Sequence, residues 1–143
     1  KEQVFEKAAQ TPHNQYLFLT KRPERLHIQT DLDNLWFGVT VTCAAERERI
    51  EILRRNVKAK HYHVTFEPLS DGVGEVDFSG IGWTVIGTET GNCKGKIPTK
   101  KEWVDNLCMQ AKARGVPVFM KEALEGIMPA DEMIQEFPKE FGI

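Results

Sequence analysis

The sequence predicts an α/β fold of repeating strand–helix units with a mostly parallel five-stranded sheet. Short apolar runs alternate with segments in which apolar residues recur at helical spacing. The apolar runs are hydrophobic along most of their length, which is typical of parallel strands covered on both faces. Two architectures fit this pattern: an open sheet, or one half of a TIM-like (β/α) barrel.

The elements follow in chain order, and polar, glycine or proline residues separate them. We predict helices over 1–10, 23–29 and 44–57, and strands over 16–19, 35–41, 61–66, 83–87 and 117–120. A capping box, Thr99 followed by Glu102 three residues later, predicts the start of a further helix that ends at Gly115. Short helical signals continue in the tail over 129–136.

Length and composition indicate one domain over 1–143. Its net charge of −2 excludes the overall basic character that is typical of general nucleic-acid binders. Three cysteines, Cys43, Cys93 and Cys108, form no disulfide framework or metal-binding spacing, which favours a reducing compartment. No apolar run reaches the length of a membrane span, so we expect a cytoplasmic protein without a membrane partner. Because the chain opens within a helical pattern at Lys1, we expect it to be the C-terminal part of a larger protein.

Polar residues follow every predicted strand, at the end where α/β proteins bind ligands. Lys21 and Arg22 follow the first strand and suit a phosphate or carboxylate, or else form a solvated turn in which Arg22 pairs with a surface carboxylate. Glu67 ends the third strand before Pro68, as a general base or ligand anchor, or as a carboxylate that fixes its loop.

The segment 87–91 is the most specific local feature of the sequence. Its flanking glycines, Gly87 and Gly91, allow backbone conformations that bring Thr88, Glu89 and Thr90 close to a ligand, although a tight turn explains them too.

Lys121 follows the fifth strand directly. A lysine at a barrel mouth either forms a Schiff base, as in a lyase, or pairs with a neighbouring carboxylate, and pairing is the commoner outcome.

Three further groups of residues favour structural roles. His61 and His63 lie on one face of a strand, without an evident third metal ligand. The basic residues of the second main helix interleave with glutamates, which favours a solvated face over a nucleic-acid stripe. The three tryptophans are expected in the core, with stacking on bases as an alternative for Trp36.

An ordered set of motifs resembles a phage- and prophage-encoded protein family of unknown function, whose longer members resemble radical S-adenosylmethionine enzymes. The motifs are Leu-Thr-Lys-Arg-Pro at 19–23, Trp-Phe-Gly-Val-Thr-Val at 36–41, Phe-Glu-Pro-Leu at 66–69, Trp-Thr-Val-Ile-Gly-Thr-Glu-Thr-Gly at 83–91 and Val-Pro-Val-Phe-Met-Lys at 116–121. The resemblance covers residues 15–121, and Glu89 matches it better than Thr88, where the family commonly has glycine.

The resemblance implies the C-terminal half of a radical-SAM-like barrel that contributes ligand-binding rim residues and is not catalytic alone. The longer members carry an N-terminal cysteine cluster, and this chain has no C-x-x-x-C-x-x-C motif. The resemblance therefore implies that S-adenosylmethionine and a [4Fe–4S] cluster would be held by a longer parent protein, and we expect no cofactor in this chain. By fold analogy, the 87–91 turn lies near the S-adenosylmethionine.

The alternative function is a noncatalytic binding module for nucleic acid or for a phage or host protein. A half-barrel also leaves unpaired strand edges. We expect those edges to form a homodimer, to flatten into an open sheet, or to be covered by the two terminal segments.

Overall fold

The computed structural model describes residues 2–91 and 95–143; Lys1 and Cys93, on which two of the expectations draw, lie outside this range. The helices are α1 (Glu2–Gln10), α2 (Glu48–Asn56) and α3 (Lys101–Ala113). The strands are β1 (Tyr16–Thr20), β2 (Ile28–Gln29), β3 (Leu35–Thr40), β4 (Val57–Lys58), β5 (His61–Phe66), β6 (Ile81–Ile86) and β7 (Val118–Met120). Short 3-10 helices cover Pro23–Arg25, Ala44–Glu46, Glu122–Gly126, Ala130–Glu132 and Lys139–Phe141.

Five strands form one parallel sheet in the order β1-β3-β5-β6-β7, which confirms the predicted fold class. The main strands therefore lie side by side in chain order, without the reversal that divides a doubly wound sheet. With right-handed crossovers, such an order puts the connecting helices on one face of the sheet.

The main core lies between the three helices and that face. Ala8 of α1, Leu53 of α2 and Leu107 of α3 belong to one buried cluster with Phe37 and Val64 of the sheet. Alternate strand residues point the other way, to what we call the helix-free face. Trp36, Trp83 and Val85 form a separate buried cluster there, and Phe119 and Phe141 pack against it.

The segments before and after α2 differ from the prediction. The helix expected over 23–29 is only a 3-10 turn, and its last two residues form β2, which pairs in parallel with β4. The helix expected over 44–57 divides into a 3-10 turn and α2, and ends one residue early because Val57 belongs to β4. A two-residue strand carries too few residues to show a period in sequence.

The predicted capping box does not form. α3 begins at Lys101 with Lys100 at the N-cap position, and no side chain caps it. The Thr99 hydroxyl instead donates to the Leu69 carbonyl oxygen at 2.7 Å. The predicted end at Gly115 is confirmed, since this glycine has a φ of 69°.

The tail is less helical than predicted and covers one edge of the sheet. Residue 135 bridges Phe119 in antiparallel fashion, and the Met120 amide donates to the Ile134 carbonyl oxygen at 2.7 Å. Phe141 then packs edge-on against Trp36 and Trp83, with ring centroids 5.2 Å apart in both cases. The C-terminal segment therefore covers the β7 edge, which is one half of the expected arrangement in which both terminal segments cover the sheet edges.

Within the described ranges, the helices are too short and too polar to cross a membrane.

Candidate ligand-binding rim

The candidate site lies at the C-terminal ends of the five main strands, and we call this edge of the sheet the rim. It comprises Lys21 after β1, Thr42 after β3, Glu67 after β5, Gly87 after β6 and Lys121 after β7. The parallel strands deliver these residues to one edge because all their C-terminal ends point the same way.

Glu67 and Lys121 form the centre of the rim. The Lys121 ammonium donates to Glu67 Oε1 at 2.6 Å, as the ion-pair interpretation of Lys121 predicts. Their side chains are 30% and 47% exposed, respectively, so the pair is open to solvent. Since β6 lies between β5 and β7, this ion pair bridges over the end of β6.

Gly87 is the residue that the ion pair passes. A methyl group at position 87 would overlap the Glu67 carboxylate in its present position, so glycine leaves the room that this geometry of the bridge uses. The glycine that the sequence presented as a flexible turn residue thus makes room for the carboxylate.

Hydrogen bonds hold the loops that carry the pair. The Leu69 amide donates to the Gly87 carbonyl oxygen at 2.9 Å, which ties the loop after β5 to the end of β6. Thr99 Oγ1 lies 2.8 Å from Thr88 Oγ1 and also donates to Leu69, so the residue before α3 joins the same network. Backbone held in this way presents Glu67 in a preorganised position.

Glu46 is a rim residue that the sequence analysis missed. The Thr42 amide and hydroxyl donate to Glu46 Oε1 at 2.8 and 2.6 Å, and Arg49 pairs with Oε2 at 2.7 Å. Partial burial opposes ionisation, but the Thr42 hydrogen bonds, with the charges of Arg49 and Lys21, hold the pKa of Glu46 below its ordinary value. Thr42, Glu46 and Arg49 at spacings of four and three residues are the only sequence signal of this cluster.

The two cations after β1 have different surroundings. Lys21 is exposed, and its charge acts on Glu46 across the rim. Arg22 pairs with Glu24 at 2.6 Å, and both side chains are about half exposed, as the solvated-turn interpretation predicts. Lys21 therefore belongs to the rim charges, and Arg22 is engaged beside it.

The 87–91 turn lies next to the ion pair. Thr88 is engaged with Thr99, Glu89 is half-buried and Thr90 is exposed. Gly91 has a φ of 88°, a conformation that favours glycine. The turn thus places Glu89 one strand end from both Glu67 and Lys121.

The two histidines of β5 are structural. His61 stacks on Trp36 with ring centroids 4.4 Å apart, and His63 Nε2 donates to the Phe18 carbonyl oxygen at 3.0 Å. Burial lowers the pKa of His63 to about 4. Across residues 2–91 and 95–143, no three His, Cys, Asp or Glu side chains are grouped to hold a metal.

Several arginines near α2 bond to backbone oxygens of a neighbouring loop. Arg47 Nη1 donates to the Glu75 carbonyl oxygen at 2.7 Å, and Arg54 Nε donates to that of Ser79 at 2.9 Å. Arg54 also donates to the Asp77 carbonyl oxygen. These bonds fix the loop between β5 and β6 to α2.

The chain matches the model of a family described as a protein of unknown function (DUF5131), over residues 1–142. No curated protein and no solved structure matches it. The match spans nearly the whole chain and names no activity. The chain belongs to this DUF5131 family of unknown function.

Proposed function

We propose that this chain is the C-terminal half of a radical-SAM-like (β/α) barrel of phage or prophage origin, and that its rim binds a polar ligand. In this proposal the chain contributes binding residues and is not catalytic alone. The sheet order supports it, because strands that follow one another in chain order, with helices on one face, form one side of a (β/α) barrel.

The Glu67–Lys121 pair is the observation that carries the binding role. It joins a carboxylate and an ammonium at 2.6 Å on the edge where such sheets bind ligands. A solvent-exposed ion pair is worth only about 0–1 kcal/mol, so a ligand can replace it at small cost.

A zwitterionic ligand complements the pair. A ligand ammonium would bind Glu67 and a ligand carboxylate would bind Lys121, exchanging one ion pair for two. S-adenosylmethionine is the first ligand to test, because its amino-acid end carries both groups and the resemblance implies it. In this proposal Glu89, on the next strand end, adds a hydroxyl or amine contact.

The described residues do not fit an iron–sulfur cluster. Cys108 is buried on α3, where burial raises the pKa of its thiol to about 11, and Cys43 precedes a 3-10 turn. Thiolate ligands need a depressed pKa and a shared site. A cluster would belong to a longer parent protein.

The alternative, a noncatalytic binding module for nucleic acid or a phage or host protein, has less support. Arg47 and Arg54 donate to backbone oxygens, which removes them from a phosphate-binding stripe. An oligonucleotide affinity that falls steeply with salt would favour this alternative.

The test is calorimetric titration of S-adenosylmethionine into the protein expressed from its complete open reading frame. We expect saturable binding that Glu67→Gln and Lys121→Met each weaken by roughly 10- to 100-fold, since a hydrogen bond to a charged group contributes about 1.5–3 kcal/mol. Anaerobic reconstitution of the same protein should give a [4Fe–4S] chromophore.

Asp33→Asn and Lys60→Met are the matched controls, because Lys60 pairs with Asp33 at 2.7 Å before β3 and β5, at the opposite end of the sheet. Binding that the rim variants leave unchanged, or that the controls weaken equally, would contradict the binding role. A colourless, iron-free product would contradict the radical-SAM relation.

A further inference from the structure

The two edges of the sheet differ. The tail covers β7, as described above. β1 is the other outer strand, and in the described part of the chain no strand lies beyond it. Its Tyr16 amide bonds inward to the Asn34 carbonyl oxygen at 2.8 Å, so strand alternation directs the amides of Leu17 and Leu19 outward.

The β1 edge lacks the features that normally protect an open edge. Natural edges carry lysine, proline or a bulge to prevent pairing. β1 reads Tyr-Leu-Phe-Leu-Thr and pairs with β3 in a continuous register, without a bulge. Leu17 and Leu19 are 43% and 53% exposed on the helix-free face. This edge therefore has the properties of a strand that pairs with another.

An apolar groove continues this edge on the helix-covered face. Its volume is about 360 Å³, and Val4, Phe5, Phe18, Leu26 and Ile28 contribute to its lining. Val4 is 39% exposed on α1. A segment that pairs with β1 would have apolar surface to cover on both faces of the sheet.

The position of α1 indicates which segment this is. Phe5 of α1 packs against Phe18 and Phe37 with ring centroids 6.3 and 6.2 Å away, on the same face as α2 and α3. α1 leads into β1 as α3 leads into β7. In a right-handed crossover, the helix that enters a strand comes from a parallel strand in the same sheet. Because β3 already pairs with one edge of β1, that strand would pair with the other edge of β1.

We propose that the β1 edge binds a parallel β-strand supplied by a preceding segment of the same polypeptide, whose apolar side chains cover Leu17 and Leu19 and close the groove. This inference rests on the half-barrel part of the proposed function and is independent of the ligand. It identifies β1 as the junction between the two halves of the barrel.

A second copy of the chain would use the edge differently. A two-fold dimer through β1 would pair the strands antiparallel, and the crossover helix α1 would have no strand of origin. The assembly state therefore distinguishes the two occupants.

The test is amide hydrogen exchange and light scattering on the protein expressed from its complete open reading frame. We expect a monomer in which the Leu17 and Leu19 amides exchange as slowly as those of β3. Leu19→Lys should accelerate their exchange at least tenfold. Met109→Lys is the control, since Met109 is 66% exposed on α3, away from the edge, and should leave exchange unchanged. Leu17→Thr replaces Leu19→Lys if that variant does not fold.

Fast exchange of these amides would overturn the proposal, and so would protection that is lost on dilution together with a dimer. An open reading frame that supplies no strand before α1 would overturn it as well. If the amides are protected but the protein does not bind S-adenosylmethionine, the result contradicts the proposed ligand and supports the proposed strand interface.

Discussion

Alanine at position 38 is expected to destabilise the protein through one buried contact. Gly38 of β3 lies directly opposite His63 of β5. The imidazole ring occupies the space where a side chain at 38 would begin, so an added methyl group would overlap it. His63 is 3% exposed and bonded to the Phe18 carbonyl oxygen, which leaves the ring little freedom to move.

The size of the effect follows from three contributions. Overpacking a well-packed interior costs about 1–3 kcal/mol. A displaced ring would also lose its hydrogen bond, at a cost of about 1 kcal/mol. Replacing glycine in a strand returns roughly 0.5–1 kcal/mol of backbone entropy. We therefore expect Gly38→Ala to lower the free energy of unfolding by roughly 1–3 kcal/mol.

Urea unfolding followed by tryptophan fluorescence measures this change. Gly126→Ala is the matched control, because a methyl group there meets no atom within 4 Å and should have little effect. In the background of His63→Ala, the substitution at 38 should cost at least about 1 kcal/mol less, because the ring is absent. Equal stability of Gly38→Ala and Gly126→Ala, or an additive double variant, would refute the reasoning.

Three further predictions concern His63, Thr99 and Cys108. Burial lowers the pKa of His63 to about 4, below its ordinary value, so the unfolded chain takes up a proton at this residue before the folded protein does. The free energy of unfolding should therefore be constant above about pH 6.5 and should fall by roughly 3 kcal/mol as the pH drops toward 4. Urea titrations across this range measure the loss, and His63→Gln should remove the pH dependence. Thr99→Val should cost about 1–2 kcal/mol in the same assay, because it leaves the Leu69 carbonyl oxygen without its donor. Cys108 should resist thiol reagents at pH 8 while half-buried Cys43 reacts, because burial raises the pKa of Cys108 to about 11; equal labelling of the folded protein would contradict this.

The strands could be predicted because buried strands consist mostly of apolar residues. The predicted strand 35–41 supplies Leu35, Phe37 and Val39 to the main core, and the predicted strand 61–66 supplies Val64 and Phe66. The rim positions followed from the same reasoning, since a parallel sheet collects its strand ends on one edge. Glu67 and Lys121 were therefore placed on the rim individually.

Their contact with each other was not predictable, because it depends on the order of the strands. The pair forms only because β5 and β7 lie on either side of β6, and because Gly87 leaves the space between them. The position of Glu46 on the rim was not predictable for a similar reason. Its partner Thr42 is only four residues away along the chain, but the pair reaches the rim because of where β3 lies in the sheet.

The errors arose where tertiary contacts replaced local ones. Thr99 and Glu102 have the spacing of a capping box, but the Thr99 hydroxyl bonds to Leu69, thirty residues away along the chain. The tail has helical composition, yet its backbone groups bond to β7, the edge strand that would otherwise remain open. In both places a buried backbone group needed a partner, and satisfying it outweighed a weak local preference.

Stability alone does not account for the central ion pair of the rim. An exposed pair of this kind contributes about 0–1 kcal/mol. The glycine at position 87, which leaves room for the Glu67 carboxylate, costs roughly 0.5–1 kcal/mol relative to alanine, so the two contributions nearly cancel. A chain selected only for stability would gain as much from alanine at 87 and an uncharged partner for Lys121. The arrangement keeps two opposite charges accessible on a preorganised edge, and this is the property that a site for a polar, doubly charged ligand needs.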